Sequence, residues 1–347
     1  MYRGRTVGVV VPAYNEQEHV AAVLETIPTF VDRIYAVDDR STDDTWQIIH
    51  TVAGAGDRVA PILDRSNRPS SQLYAQEEEP VVHESIADGG TVDTQRIVPI
   101  RHDVNRGAGA ALRTGYLYAL SDGIDIVVSM DADGQMDPNQ LPRLLDPIVD
   151  DVADYAKGNR LASRNNRAGM PSFRLFGNWL LTQLTRLATG YWRIADPQNG
   201  YTAISFGALS RIGIEDIPDD HNYTNDVLVR LNACELRVAD VAMPAVYDDE
   251  ESTIRYRTFI PRTSATLLRG FIHRLRTRYG FDGVYIPICY TIGVLAMGIA
   301  FVIAVAAGLT STLTWSTAVG GFLIGLGVFV FAVLLDARAN ASLEVPA

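Results

Sequence analysis

Short apolar runs punctuate the first 160 residues, and each stops abruptly at polar or acidic positions. Thr6-Val7-Gly8-Val9-Val10-Val11 is apolar almost without alternation, as expected of a parallel strand covered on both faces. It ends at Pro12-Ala13-Tyr14-Asn15-Glu16, and the pattern predicts a helix from there to about Ile27. Arg33-Ile34-Tyr35-Ala36-Val37 predicts a second strand, ending at Asp38-Asp39-Arg40-Ser41. Thr42 or Asp43 would cap the next helix, which carries Trp46, Ile48 and Ile49. Ile97-Val98-Pro99-Ile100 reads as a third strand, and Asn105-Arg106-Gly107-Ala108-Gly109 as the turn opening a helix to about Leu120. Ile126-Val127-Val128-Ser129-Met130 is a fourth strand; a helix from Pro138 and a strand ending at Lys157-Gly158-Asn159-Arg160 follow. Strands that end in polar loops and lead into helices are βαβ units. The fold class is α/β, Rossmann-like, with a mostly parallel sheet whose ligands bind at the carboxyl edge.

Three stretches depart from that rhythm. Residues 64–96 are polar, with Glu77-Glu78-Glu79 and Gly89-Gly90, and read as an inserted surface loop. Phe173, Phe176, Leu180, Leu184 and Leu187 recur at helical spacing, with Arg174, Asn178 and Arg186 off that line. A second such stretch sets Leu267, Leu268, Phe271, Ile272 and Leu275 against Arg269, Arg274, Arg276 and Arg278. Basic amphipathic helices beside membrane spans lie in the interface; the bland alternative is that both pack on the sheet. From Val284 to Leu335 no residue is charged, with a break near Gly308–Thr312, and each half is long enough to cross a bilayer core. Arginines crowd the side before the first span and are absent between the spans, so the large N-terminal part and the tail after Asp336 are expected to be cytoplasmic. The plan is a catalytic domain over 1–250 and a basic interface segment over 251–280. Transmembrane helices follow at 284–308 and 313–335, then a tail over 336–347.

Composition narrows the function classes. A length of 347 residues allows one or two domains. A net charge of −11 and a pI near 5.0 argue against non-specific nucleic-acid binding. Lys157 is the only lysine; with many aspartates this suggests a chain solvated in high salt, and so a halophilic source. Cys234 and Cys289 have no metal-ligand spacing and Cys289 lies in an apolar run, so neither a disulfide framework nor a zinc site is indicated. No signal-peptide pattern precedes the first strand.

The candidate chemistry sits where the fourth strand stops, at Asp131-Ala132-Asp133-Gly134-Gln135. Two carboxylates one residue apart beside a glycine turn suit Mg²⁺ or Mn²⁺, which takes its remaining ligands from phosphates and water. An Asx turn capping a helix is the bland alternative. A helix N-terminus at Gly107 together with Arg106 makes a candidate anion site. Arg160 is a cation at the same edge, or simply a surface arginine.

Five motifs, in order, carry a family resemblance: Val11-Pro12-Ala13-Tyr14-Asn15-Glu16; Val37-Asp38-Asp39 with Ser41-Thr42-Asp43; Asn105-Arg106-Gly107; Met130-Asp131-Ala132-Asp133-Gly134-Gln135; and Lys157-Gly158-Asn159-Arg160. Over residues 6 to about 260 the chain resembles the family 2 glycosyltransferases of GT-A fold, and within them the dolichol-phosphate mannose and glucose synthases. It departs from them at the 64–96 insertion and at Ala108, where many members carry lysine. The resemblance implies that Pro12, Tyr14, Glu16, Asp38 and Asp39, with Arg106 and Gly107, hold the nucleotide sugar. Asp131 and Asp133 would then place the metal on its pyrophosphate, with Gln135 at the metal or sugar. Asp226 stands where inverting members often place an acid, and equally suits a first-turn carboxylate on the helix dipole.

The expected activity is metal-dependent transfer of a hexose from a GDP- or UDP-sugar to dolichyl or other polyprenyl phosphate at the cytoplasmic membrane face. It would feed protein or lipid glycosylation. A lipid phosphate is already ionised and needs cations rather than a base, which points to Arg160, Arg174 and Arg255. The alternatives are a processive or hydroxyl-directed membrane glycosyltransferase, or a silent scaffold that only binds nucleotide sugar in the membrane.

Overall fold

The structure, a computed structural model, describes residues 1–54, 96–160, 172–244, 256–280, 283–307 and 312–345. The 64–96 insertion, apart from Arg96, lies outside them. The chain opens with β1 (Val7–Ala13), α1 (Val20–Thr26), β2 (Arg33–Asp38) and α2 (Thr45–Val52). Next come β3 (Ile97–Arg101), α3 (Ala108–Ser121), β4 (Ile126–Ser129), α4 (Leu141–Val149) and β5 (Tyr155–Asn159). Then follow α5 (Ser172–Thr189), β6 (Thr202–Ser205), α6 (Phe206–Arg211), α7 (Tyr223–Ala233) and β7 (Val238–Ala242). The long helices α8 (Tyr256–Arg278), α9 (Tyr285–Ala307) and α10 (Thr312–Asn340) precede a last strand, β8 (Glu344–Val345).

The strands form one sheet in the order β3-β2-β1-β4-β6-β5-β7-β8, parallel except for β6, which is antiparallel to β4 and β5. The fold is GT-A-like, mostly parallel as the apolar runs predict. Valines explain the double cover: Val9 and Val11 point to the layer of α1, α2 and α4, while Val10 points to the layer of α3 and α7. At Gly115 a Cβ would fall 2.2 Å from a Val10 methyl, so α3 lies on β1 at a distance only glycine allows. Helix α1 starts later than expected, at Val20. Residues 15–17 are instead held as a loop by the stretch after β2, Asn15 and Glu16 donating their N–H groups to Ser41 Oγ (3.0 Å) and Thr45 Oγ1 (2.8 Å).

α5 is amphipathic in the inverse sense of a core helix. It turns Thr182, Thr185, Ala188 and Thr189 inward and leaves Trp179, Leu180 and Leu184 exposed. α8 behaves similarly, burying Thr263, Leu267 and Leu275 while exposing Leu268 and Ile272. Of the apolar line, Leu180 and Leu184 are thus turned outward, whereas Leu187 packs against the cluster of Leu275, Tyr279 and Tyr290. α9 and α10 form a hairpin, each long and apolar enough to cross a membrane and mostly unburied. They meet through Gly293 and Gly325, where a Cβ would come within about 3 Å of the opposing backbone.

Sequence pattern placed Arg274 on the basic face of α8, whereas the structure buries it completely. Its Nη1 and Nη2 donate to both oxygens of Asp336 (2.9 and 2.8 Å), and Nε and Nη2 donate to the Ala188 and Leu187 carbonyls at the end of α5. Tyr279, Tyr290 and Asn340 complete the bonding of Asp336, and Asn232 on α7 donates to Asn340 (3.0 Å). α10 runs on past Leu335 to reach these partners, and β8 then pairs with β7. The sheet begun within residues 1–250 thus takes its eighth strand from after the second apolar helix. Asp336→Asn leaves a buried guanidinium without its counter-ion and is expected to destabilise the protein by about 3–5 kcal/mol. Thermal unfolding in detergent measures this, and adding Arg274→Met should restore much of the loss.

Candidate active site

Register brings the candidate residues together. Ala13 lies beside Asp38 and Val10 beside Ser129, so the carboxyl ends of β1, β2 and β4 share one edge. Because β6 runs the other way, its first residue Thr202 pairs with both Ser129 and Lys157. The turn Asp196-Pro197-Gln198-Asn199-Gly200-Tyr201 is delivered to that same edge.

Asp131 and Asp133 follow β4 directly. Asp133 Oδ1 accepts the Gln135 N–H (3.0 Å) across Gly134, whose φ of 76° requires a residue without Cβ. The Asx turn is therefore present, but it uses one carboxylate oxygen. No hydrogen bond reaches the Asp131 carboxylate from the described residues. Gly200 approaches it so closely that a Cβ there would sit 3.3 Å from Asp131 Oδ2. Burial pushes Asp131 up to about 6, Asp133 adds to the rise and Arg160 opposes it. Two hard-oxygen acids that destabilise each other's charge fit a divalent cation. Among the described residues no group of three or more His, Cys, Asp or Glu side chains could enclose a metal, so this pair would hold one from a single side.

The expected donor side divides into two parts. Asp38 is buried, accepts the Ser41 N–H (3.1 Å) and pairs with Arg101 Nε at 2.9 Å. Asp39 is spent on the fold: it accepts the Arg106 and Gly107 N–H groups (2.9 and 2.7 Å) and lies 2.7 Å from His102 Nδ1. The anion site expected at the start of α3 needs correcting. The Gly109 N–H donates to the Asp219 carbonyl (2.9 Å), and a Cβ at Gly109 would meet the Pro218 carbonyl at 2.1 Å. The small residues there admit a neighbouring loop, not a ligand, while the Arg106 side chain is exposed. Pro12 is half-buried and Tyr14 exposed at the end of β1. Glu16 lines a polar cleft of about 230 Å³ with Asn15, Gln17, Glu18, His19 and Asp43, and a Cβ added at Gly134 would lie 3.9 Å from His19 Nδ1.

On the other side, Arg160 Nε and Nη2 fork onto Asp196 (2.8 and 3.3 Å). Burial alone would raise Asp196; the fork and Lys157 reverse this and hold it below the usual carboxylate range. Asp226 faces away into a structural knot: Arg230 binds its carboxylate and also donates to the carbonyls of Ile212, Gly213 and Asp216. Its neighbour Asn225 is the residue that meets the 196–201 turn, accepting from Gln198 Nε2 (3.1 Å). Arg255 lies outside the described residues, as does the side chain of Arg174 on α5. Pattern reading gave no role to Lys157, Asp196, Asp240 or Asn225, although Lys157 stands in one of the five motifs. The available signal was a lone lysine inside an otherwise uncharged strand.

The sequence pattern described as "Glycosyl transferase family 2" matches residues 8–75 and 78–213. The chain belongs to that family. A UDP-N-acetylglucosamine–dolichyl-phosphate N-acetylglucosaminyltransferase of Methanococcus voltae is 26% identical over 241 residues, 69% of this chain and 85% of that protein. An undecaprenyl-phosphate mannosyltransferase of Micrococcus luteus is 25% identical over 244 residues, covering 70% and 83%. Among solved structures, a glucosyl-3-phosphoglycerate synthase from Mycobacterium tuberculosis, crystallised with Mn²⁺ and UDP, aligns over 78% of this chain and 80% of its own. The TM-score is 0.48 and the identity 19%. The paired acids make the first test of this glycosyltransferase. Asp131→Ala or Asp133→Ala is expected to lower transfer about a hundredfold or more, the scale on which a main charge-stabilising group is lost. Steady-state rates at saturating divalent cation check it, and wild-type rates for Asp133→Ala in EDTA would contradict it.

Proposed function

We propose that this family 2 glycosyltransferase moves a hexose from a nucleotide sugar to a polyprenyl phosphate, dolichyl in type, at the cytoplasmic face of a membrane. The observation that carries the reading is α5, which buries threonines and exposes Trp179, Leu180 and Leu184 on the helix that follows the Arg160 edge. A face of that kind is stable against a bilayer and costly in water. The dolichyl- and undecaprenyl-phosphate relatives support the same acceptor class. Two apolar helices and a strand that returns to the sheet put both ends of the hairpin on the catalytic side. The arginines at 262, 269, 276 and 278 favour the cytoplasm for that side.

In this mechanism an oxygen of the acceptor phosphate attacks the anomeric carbon, and the bond to the nucleoside diphosphate breaks with its electron pair leaving on the diphosphate. Asp131 and Asp133 are the residues that would hold Mg²⁺ or Mn²⁺. When bound, the cation neutralises charge building on the leaving group. Arg160, fixed by Asp196, orients the acceptor phosphate at the same edge, with Arg174 and Arg255 as further cations. Pro12, Tyr14, Glu16 and Asp38 position the donor. No base is required, since the phosphate is already ionised near neutral pH. Asp226, bound by Arg230, serves the fold.

Two outcomes follow. Arg160→Ala should raise the apparent KM for prenyl phosphate, whereas Asp226→Asn should keep most of the activity that Asp131→Asn loses. Steady-state kinetics on one prenyl phosphate separate them, and equal inactivity of Asp226→Asn and Asp131→Asn with a normal Arg160→Ala would point to a hydroxyl acceptor. Trp179→Glu with Leu184→Glu should weaken activity on long-chain lipid phosphate more than on a short, water-soluble one. Equal losses on both would remove the membrane role of α5.

A further inference from the structure

Lys157 is fully buried in β5, where alternation would place an apolar residue. Its Nζ donates to the Asn199 carbonyl at 2.6 Å. Two acids face it, Asp196 from the turn before β6 and Asp240 from β7, with Arg160 beyond Asp196. Burial pushes the ammonium down to about 8 against the pull of those acids, and pushes Asp240 up to about 6. Buried charges of this kind rarely add net stability over a well-packed apolar side chain of similar volume, so stability is a poor reason for a lysine here.

What the ammonium does hold is the turn. Asn199 Nδ2 donates to the Gly158 carbonyl (2.8 Å), and the Tyr201 N–H to Asn199 Oδ1 (3.0 Å). The next residue, Gly200, lies so close to Asp131 that a Cβ on it would come within 3.3 Å of Asp131 Oδ2. A Cβ at Gly158 would strike Asn199 Nδ2 at 2.8 Å, so β5 and the turn are in close contact just where Lys157 reaches across. One path therefore runs from Lys157 through the Asn199 carbonyl to Gly200 and Asp131. A second runs from Lys157 through Asp196 to Arg160, whose charge also reaches Asp131.

We propose that Lys157 is a positioning residue: it seats the 196–201 turn on Asp131 and so sets how well the Asp131/Asp133 pair holds its divalent cation. The proposal rests on the transfer reading above for its cation, not for its geometry. Groups that orient a metal ligand without touching the metal are worth about 10–100-fold in affinity.

Lys157→Met alone leaves Asp196 and Asp240 facing each other in the interior, so the informative variant is Lys157→Met with Asp240→Asn. It removes one charge of each sign and keeps the Asp196–Arg160 pair. Binding of Mn²⁺ alone, followed by the spectroscopic signal of the free ion, is expected to weaken about tenfold or more in a full-length variant that unfolds at the wild-type temperature. In transfer assays the half-saturating Mn²⁺ concentration should rise by the same factor, with excess Mn²⁺ restoring most of kcat. A merely structural lysine would lower the folded fraction and leave that concentration unchanged. Mn²⁺ affinity at the wild-type value in the folded double variant overturns the proposal, and so does loss of the fold in that variant. If wild-type protein transfers no sugar to prenyl phosphate, the functional reading fails, while the Mn²⁺ titration still judges Lys157.

Discussion

Two like charges must be kept side by side at the end of a buried strand, and much of the catalytic half is arranged around that constraint. Asp131 is desolvated and next to Asp133, and both factors raise its carboxyl above the usual range. Parallel register brings β1, β2 and β4 to the same edge. The antiparallel strand β6 matters for a different reason: only a reversed strand can present the turn before it to the carboxyl edge, and that turn carries both the backbone against Asp131 and the acid that fixes Arg160.

The second half answers a separate constraint, the joining to the sheet of two helices long and apolar enough to cross a membrane. Arg274 and Asp336 are both fully buried and join α8 to the end of α10, while the Arg274 guanidinium also caps α5. Three helices, α5, α8 and α10, are thus tied at one point, and β8 ties the same region to the sheet. Burying such a pair is expensive, and removing one partner more so, and the pair joins the end of α10 to α8.

Much of this was legible in the chain. The valine run of β1, the acids after β2 and β4, and the uncharged segments after Val284 report backbone layering and membrane length directly, because those depend on periodicity and hydropathy. Partnerships between distant residues were not legible. Asp39 looks like a ligand-binding acid by position, yet it is consumed by the Arg106-Gly107 amides 67 and 68 residues away. Arg274 looks like one more interface cation, and only the continuation of α10 past Leu335 reveals its counter-ion. The helix N-terminus at Gly107 suggested an anion site, but the loop at 218–220 packs against the glycines at 107 and 109. Each of these contacts has its other half far away in sequence.

The central claim is that the acceptor is a lipid phosphate held by cations, not a hydroxyl activated by a base. The direct measurement is to incubate the full-length protein with labelled GDP- and UDP-sugars and Mn²⁺, offering one prenyl phosphate and the matching free prenol in parallel. Label is predicted to enter lipid only with the phosphate, as a glycosyl phosphate that mild acid cleaves. Transfer to the free prenol at a comparable rate, or growth of a polysaccharide with neither lipid present, would contradict the account.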